Sequence, residues 1–454
     1  MHKFHIPKQA NSIILGLRQE GHDAYVVGGC VRDSLLGKEP HDWDISTSAT
    51  PDEVKLYLFR HGIRSIDTGL KHGTVTAYIS QLEQYEITTF RSDGVYSDGR
   101  HPDCVEFVGS VIQDLSRRDF TINAMAYNTA GMVDPFHGQA DLERGVINCV
   151  GNPDERFSED ALRILRALRF SSVYRFRIGE ETARSIHQNR NKLLMVSAER
   201  IQMELCKLLF GKGVLDVLLE YSDVFSAIIP ELAPCIGFQQ NNPYHQYTVY
   251  DHIAHAVANY IGNDISVKIA LLLHDIGKPG CYTEDEKGGH FYGHGVPSRD
   301  MAECVMNRLK FDNKTKAEVL DLVLYHDTVI EPTPKVVKRW MNRIGKDRFA
   351  QLLDVRMADI RAHAEGTQES RIERCMALRS IMSDVLDEEQ CFSLKDLAIH
   401  GKDILSLGVP QGKVIGDTLQ HILNKVISGE LDNHIDPQMQ EAQQYIKSYI
   451  NGRS

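Results

Sequence analysis

The stretch Gly21–Thr47, GHDAYVVGGCVRDSLLGKEPHDWDIST, constrains this chain more than any other. Ala24–Val27 is a short apolar run, Gly28–Gly29 breaks it, and Val31–Leu36 can wind into a helix that Gly37 ends. Glycines let a ligand approach the main chain closely, and the unpaired N–H groups of a helix start favour anions, so a strand–turn–helix of this kind suits a phosphate. Asp42 and Asp44 follow, flanking Trp43 in a segment that continues Ile45-Ser-Thr. Residues two apart on a strand share a face, so the two carboxylates can grip a hard cation together. Mg²⁺ usually takes one or two protein carboxylates and completes its shell with water and substrate phosphates. A Gly-Gly pair alone is a turn and an Asp-x-Asp alone is a solvated loop. Their succession within one stretch points to phosphoryl or nucleotidyl transfer.

The next segments extend this reading. HGTVTAYI (His72–Ile79) and QYEITTFR (Gln84–Arg91) have the β-branched and aromatic content of strands. Glu86 shares a strand face with Thr88, which makes it a candidate third carboxylate or an exposed strand glutamate. SDGVYSDGRHPDC (Ser92–Cys104) reads as a polar, Gly-rich loop. In SRRDFTINAMAYN (Ser116–Asn128), Arg117, Arg118 and an aspartate open an expected helix, where the arginines can meet triphosphate charge. NPDERFSEDALRILRALRF reads as a helix with Ser158 as N-cap, Glu159 and Asp160 in the first turn, and an apolar stripe of Ala161, Ile164, Leu165 and Leu168. Asp160 and Arg163, three apart, lie on one face of it, either as a salt bridge or as an acceptor–donor pair that reads the edge of an incoming base.

With 454 residues, the chain has room for about three domains. Charged residues at 25% and hydrophobic ones at 42% are ordinary for a globular protein. No apolar run approaches the ~20 residues of a membrane span, and MHKFHIPKQANSII lacks the apolar core of a secretion signal, so the expected compartment is the cytoplasm. The nine cysteines are scattered with no Cys-x-x-Cys, which fits free thiols better than disulfides or a zinc site. A net charge of −11 argues against a nucleic-acid partner only until local balance is read. Arg156–Arg200 holds nine Arg and one Lys against five acids, and Lys335–Arg348 six basic residues against one Asp. Phosphate contacts depend on such local surfaces.

GGCVRDSLLG…DWD, SRRDFTINAMA, EDALRILRALRF and AERIQMEL (Ala198–Leu205) resemble, in order, the motifs of class II tRNA nucleotidyltransferases, the CCA-adding enzymes, and of bacterial poly(A) polymerases. The resemblance covers roughly residues 20–240. It implies that Asp42 and Asp44 are catalytic and bind Mg²⁺; Glu86, read from its strand face alone, is the third catalytic candidate. It also implies that Gly28, Gly29 and Arg32 hold the triphosphate, and that Arg118, Asp160 and Arg163, supported by Arg166, contact the base. The partners implied are tRNA, ATP and CTP, with no DNA and no membrane. Arg91–Pro102 matches the family's flexible loop, which favours full CCA addition over CC addition. An A-only enzyme and a poly(A) polymerase share the head motifs and stay open.

From Tyr244 onward, YHQYTVYDHIAHA, ALLLHDIGKPGCYTEDEKGGHFYGHG, VLYHD and LLDVRMADIRAH place His252, His274, Asp275, His294, His326 and Asp359 at successive helix ends. Imidazole and carboxylate together favour a divalent transition metal with open positions for water and a phosphate ester. This region resembles an HD-superfamily phosphohydrolase domain, with Lys278 following the His-Asp pair as in many members. The resemblance implies a phosphatase or phosphodiesterase suited to tRNA end repair. A domain that keeps these residues only to bind tRNA, and a phosphohydrolase whose head merely binds nucleotide, are the alternatives.

The expected fold is α+β: an N-terminal α/β head with a small mixed sheet, like other polymerase-β-type nucleotidyltransferases, followed by mostly helical regions. The expected divisions are head 1–150, helical neck 151–240, HD domain 241–365 and helical tail 366–454. In the tail, Gly401, Gly408, Pro410, Gly412 and Gly416 are expected to set turns before an amphipathic helix that helps hold tRNA.

Overall fold

The structure is a computed structural model that describes residues 4–69, 73–81, 83–94, 105–286, 288–388 and 390–451. The chain divides into two compact units, Met1–Ala233 and Pro234–Ser454.

The first unit is built on a seven-stranded mixed sheet. Its strands are β1 (Ala24–Val27), β2 (Ile45–Thr47), β3 (Arg64–Gly69), β4 (Thr74–Tyr78) and β5 (Gln84–Thr89). A separate two-stranded ribbon, β6 (Arg91–Asp93) with β7 (Val105–Phe107), intervenes before β8 (Ala126–Asn128) and β9 (Gly131–Val133) complete the sheet in the order β3-β4-β5-β2-β1-β8-β9. Only the β2–β5 pairing is parallel; the other neighbours in this sheet are antiparallel. Most of the expected loop Arg91–Pro102 lies outside the described residues.

Helix Lys8–Gln19 buries Ala10, Ile13, Ile14 and Leu17, one 3.6-residue stripe. Helix Pro51–Arg60 starts at a Thr50/Glu53 capping box with Pro at its first position. A small core of Val27, Phe90, Val111, Leu115, Ala124, Ala126 and Val150 lies under the turn after β1. Helices Leu162–Tyr174 and Ala198–Leu209 then pack side by side.

Three local readings are corrected. SRRDF does not open a helix: helix Val111–Ser116 ends there, Arg117 is its C-cap, and the segment goes on through a 3-10 turn, Thr121–Asn123, into β8. The EDALRIL helix is split. Helix Pro153–Glu159 stops at Asp160, which takes an extended φ of −144°, and a new helix starts at Leu162. Ser158 is therefore no N-cap, and its hydroxyl donates to the Asp154 carbonyl 2.6 Å away. Gly416 lies inside helix Lys413–Ser428 rather than before it.

The second unit is helical apart from the hairpin Thr283–Asp285/Gly288–His290. Helices Val249–Asn259, Ile265–Leu273, Asn313–Tyr325 and Lys346–Ile360 pack on one another. The C-terminal helices Lys413–Ser428 and Ile435–Asn451 enclose a separate apolar cluster that includes Ile399, Ile404, Ile422, Leu423 and Ala442. Among the described residues, no helix is long and apolar enough to cross a membrane, and the eight described cysteines are free thiols.

Candidate functional site

In the first unit the predicted residues gather at one end of β1 and β2. Gly28 has φ +75°, a conformation that favours glycine, and a Cβ there would stand 2.7 Å from Arg118 Nη1. A Cβ at Gly29 would lie 3.6 Å from Arg32 Nη2. The two glycines are thus bare backbone between two guanidinium groups, a cradle for an anion that any side chain would narrow.

Asp42 and Asp44 stand just before β2 rather than within it, because the Asp44 carbonyl accepts the Val27 N–H at 3.0 Å while the regular ladder begins at Ile45. The parallel register pairs Ile45 with Ile87, so one step back Asp44 stands level with Glu86. All three carboxylates are exposed. The protein crowded around the Asp44 carboxyl raises its pKa; Arg118 opposes this, and the like charges of Glu86 and Asp42 add to it. Like charges acting on one carboxyl favour a cation among them, which fits a divalent ion on Asp42 and Asp44.

Arg118 is steered by Asp114, which is fully buried. Asp114 accepts from Arg117 Nη2 at 2.8 Å, Ser46 Oγ at 3.2 Å and, at the edge of hydrogen-bond range, Arg118 Nη2 at 3.5 Å. Burial pushes this carboxyl up, but Arg118 and Arg117 outweigh it and hold it below the ordinary value. The sequence reading missed Asp114; its spacing three and four residues before two arginines was the available signal.

Arg32 is buried beneath the turn. Its Nε and Nη2 donate to Asp33 at 2.9 and 3.0 Å and its Nη1 to Asn123 Oδ1 at 2.6 Å, while the rings of Phe170 and Tyr174 lie 5.1 and 5.0 Å from its Cζ. Asn123 in turn donates to Asp119 at 3.1 Å, and Asp119 accepts Arg166 Nε at 2.8 Å. Burial raises the Asp119 carboxyl, but Arg166 and Asn123 overcome it and bring it to about 2.

Asp160 and Arg163 do not pair with each other. Asp160 Oδ1 accepts the Leu162 N–H at 3.0 Å, and Oδ2 takes Arg200 Nη2 at 2.6 Å. Arg163 donates to Glu159 at 2.6 Å and to the Arg117 carbonyl at 3.1 Å. The structure therefore brings the arginines of SRRDF to the helix break at Asp160. Arg200, which holds one of the two candidate base readers, was not singled out from sequence, and Glu159, which holds the other, was read only as a first-turn acid.

In the second unit the six predicted ligands converge. His252 Nε2 lies 2.8 Å from Asp359 Oδ1 and 3.5 Å from Asp275 Oδ2. His274 Nε2 lies 3.2 Å from Asp275, and His294 and His326 Nε2 lie 3.2 and 3.5 Å from its other oxygen. Nδ1 of His274, His294 and His326 is within 2.7–2.8 Å of the carbonyls of Leu271, Phe291 and Val323. A proton held there leaves each Nε2 lone pair facing inward, the usual arrangement for metal ligation. Among the described residues, two sets of three donors meet within 4.8 Å, His252/His274/Asp359 and His274/Asp275/His326, and they share His274.

His274 Nε2 and both Asp275 oxygens are buried with no aligned hydrogen bond, although Lys278 Nζ sits 2.7 Å from Asp275. A divalent ion satisfies all of these atoms at once, so the donor set fits one. The centre opens into a cavity of about 630 Å³. His245 and His363 also line it and were missed; Asp359-x-x-x-His363 was a usable helical spacing.

The mixed sheet with its carboxylates and glycine cradle defines a nucleotidyltransferase-type head on a largely helical chain. Family models match in order: "Poly A polymerase head domain" over residues 24–148, "Probable RNA and SrmB- binding site of polymerase A" over 175–236, and "tRNA nucleotidyltransferase domain 2 putative" over 296–439. The chain is 48% identical to a CCA-adding enzyme of Levilactobacillus brevis over 47% of its own length and 55% of that protein's. It is 33% identical to one of Lactobacillus helveticus over 94% of both chains. The Bacillus stearothermophilus CCA-adding enzyme crystallised with CTP matches with a TM-score of 0.73, 29% identity and 98% coverage of each chain. The chain belongs to the CCA-adding enzyme family.

Proposed function

We propose that the first unit adds C, C and A in turn to the 3′ end of tRNA from CTP and ATP, releasing pyrophosphate and using no nucleic-acid template. The observation that carries this is the set Asp42, Asp44 and Glu86 held beside the Gly28–Gly29 cradle. Mg²⁺ on Asp42 and Asp44 supplies charge neutralisation at the attacked phosphate and activation of the 3′-hydroxyl. The cradle, with Arg118 and Arg32 against it, holds the triphosphate. Asp160 accepts from the exocyclic amino group of C or A and Arg163 donates to the ring edge. An incoming base must replace Arg200 and Glu159 as their partners, so a base with the wrong edge leaves a charge unpaired, which is costly. Arg166 holds this surface in place through Asp119. Residues 1–150 are then the head, 151–240 the neck, 241–365 the HD domain and 366–454 the tail.

The test is a tRNA transcript ending at the discriminator base, with Mg²⁺ and CTP, ATP or both. Two added C residues with CTP and a further A only with both is the expected result. Tailing with ATP alone would replace the reading with an A-adding enzyme or poly(A) polymerase. Asp160→Ala is expected to raise UTP incorporation relative to CTP by about tenfold, the effect of one lost hydrogen-bond partner. Unchanged discrimination in competition assays would remove Asp160 from base choice.

We propose also that the second unit is a metal-dependent phosphohydrolase for phosphate or cyclic phosphate ends, supported by the buried His274 and Asp275 atoms that no aligned hydrogen bond satisfies. A divalent metal there supplies an activated water. Lys278 balances the Asp275 charge, and the carbonyl-anchored imidazoles keep their lone pairs inward. Saturation of the metal-free protein with Mn²⁺ or Ni²⁺ is expected to restore phosphate ester hydrolysis. It should also raise the melting temperature of this unit by about 5–10 °C, as binding at ~100 Kd stabilises by about 2.7 kcal/mol. No shift and no hydrolysis would leave a domain that only binds RNA.

A further inference from the structure

The cavity of the His/Asp centre does not end at its ligands. Asp327 and Arg371 line it and also line an adjoining cavity of about 270 Å³, whose other walls include Arg356 and Arg374. Arg356 comes from helix Lys346–Ile360, the helix that carries Asp359. Arg371 and Arg374 come from the first turns of helix Glu369–Asp387, three residues apart and so on one face. Arg356 is tied down, with Nη1 donating to the Thr328 carbonyl. Arg374 has one distant acid, Glu331 at 3.9 Å. Arg371 is half-buried and, among the described residues, has no carboxylate in ion-pair range. Three arginines therefore line one small cavity, and among the described residues Asp327 is its one acidic wall.

Like charges gathered this way repel unless an anion joins them, and planar guanidinium forks match phosphate oxygens in bidentate fashion. A simple phosphomonoester, with its one phosphate at the His/Asp centre, has nothing to place here. A nucleotide at the 3′ end of RNA does, because its 5′ side carries the next phosphate of the backbone.

We propose that Arg356, Arg371 and Arg374 form a second phosphate subsite, so that the ligand of this unit is an RNA 3′ end whose terminal phosphate meets the His/Asp centre and whose next phosphate meets the arginines. The proposal rests on the phosphohydrolase reading for the first of these two phosphates and adds the second.

Calorimetric titration of the full chain without added metal tests it, using adenosine 3′,5′-bisphosphate and adenosine 3′-monophosphate as probes. The bisphosphate is expected to bind about tenfold tighter, a typical return for charge-assisted contacts to one phosphate. Arg371→Gln with Arg374→Gln should bring it level with the monophosphate. Arg371→Lys alone, which keeps the charge but not the fork, should retain part of the preference and shows that loss in the double variant is not misfolding. Equal affinities in the unaltered chain, or no binding of the bisphosphate, overturn the subsite. A preference that survives in the double variant belongs elsewhere and also overturns it. Hydrolysis of p-nitrophenyl phosphate with Mn²⁺, Ni²⁺ or Co²⁺ tests the underlying reading separately. Its absence would remove the hydrolase while the calorimetric comparison still decides the subsite.

Discussion

Asp42→Ala is expected to lower addition of both C and A by about three orders of magnitude, the effect of losing several kcal/mol of charge stabilisation at the reacting phosphate. The phosphate ester hydrolysis proposed for the second unit should persist. Asp42 is exposed and outside any strand, so its removal disturbs no core and the fold should lose no more than about 0.5 kcal/mol. A second readout separates a lost ligand from a lost charge. Asp42 is one of the groups that raise the Asp44 pKa, so the alanine variant lets Asp44 ionise at lower pH. In the metal-free protein the Asp44 carboxyl of the variant should therefore titrate at lower pH than that of the unaltered protein. Carboxyl NMR of the metal-free protein across pH measures the titration, and single-turnover extension of a labelled tRNA transcript measures the loss of activity. Full CTP incorporation by this variant would dismiss the metal role of Asp42.

What the sequence made legible were elements whose own residues decide them. β1, the glycine turn, β4 and β5 follow from short β-branched runs broken by glycine. The candidate His and Asp ligands of the second unit were legible because each stands in a helix or next to its end, so their order survives folding. The misreadings share a different cause. The apolar stripe runs unbroken through EDALRIL, yet the Asp160 side chain binds the Leu162 N–H and offers the backbone an alternative to the helix, which splits there. Arg117 and Arg118 look like a helix opening by composition, but both turn back onto Asp114, inside the helix that precedes them. The partners that set the site, Arg200 for Asp160 and Arg166 for Asp119, lie 40 and 47 residues away in sequence, where periodicity carries no information.

That long-range pairing leads to the largest stability effect. Arg166→Met is expected to destabilise the first unit by about 3–5 kcal/mol, because it leaves a buried carboxylate without its cation. Asp119 keeps the Phe120 N–H at 2.8 Å and the Asn123 amide at 3.1 Å, but these neutral donors cannot replace a guanidinium at 2.8 and 2.6 Å. The pH dependence identifies the mechanism. With Arg166 present, Asp119 is held at about 2, below its unfolded value of 3.8, so its contribution is complete above that value and is lost as pH falls toward 2. Without Arg166, burial dominates and the folded pKa moves above the unfolded one, so the variant is penalised increasingly as pH rises through the acid range. The gap between the two proteins should therefore be widest near neutrality and narrow below about pH 4. Urea unfolding, read by hydrogen exchange of the Leu162–Tyr174 amides, measures it at each pH. Asp119→Asn combined with Arg166→Met should cost less than Arg166→Met alone, since it removes the stranded charge. A gap independent of pH, or a double variant weaker than the single one, would make Arg166 a packing residue whose aliphatic stem, not its charge, supports the proposed base-reading surface.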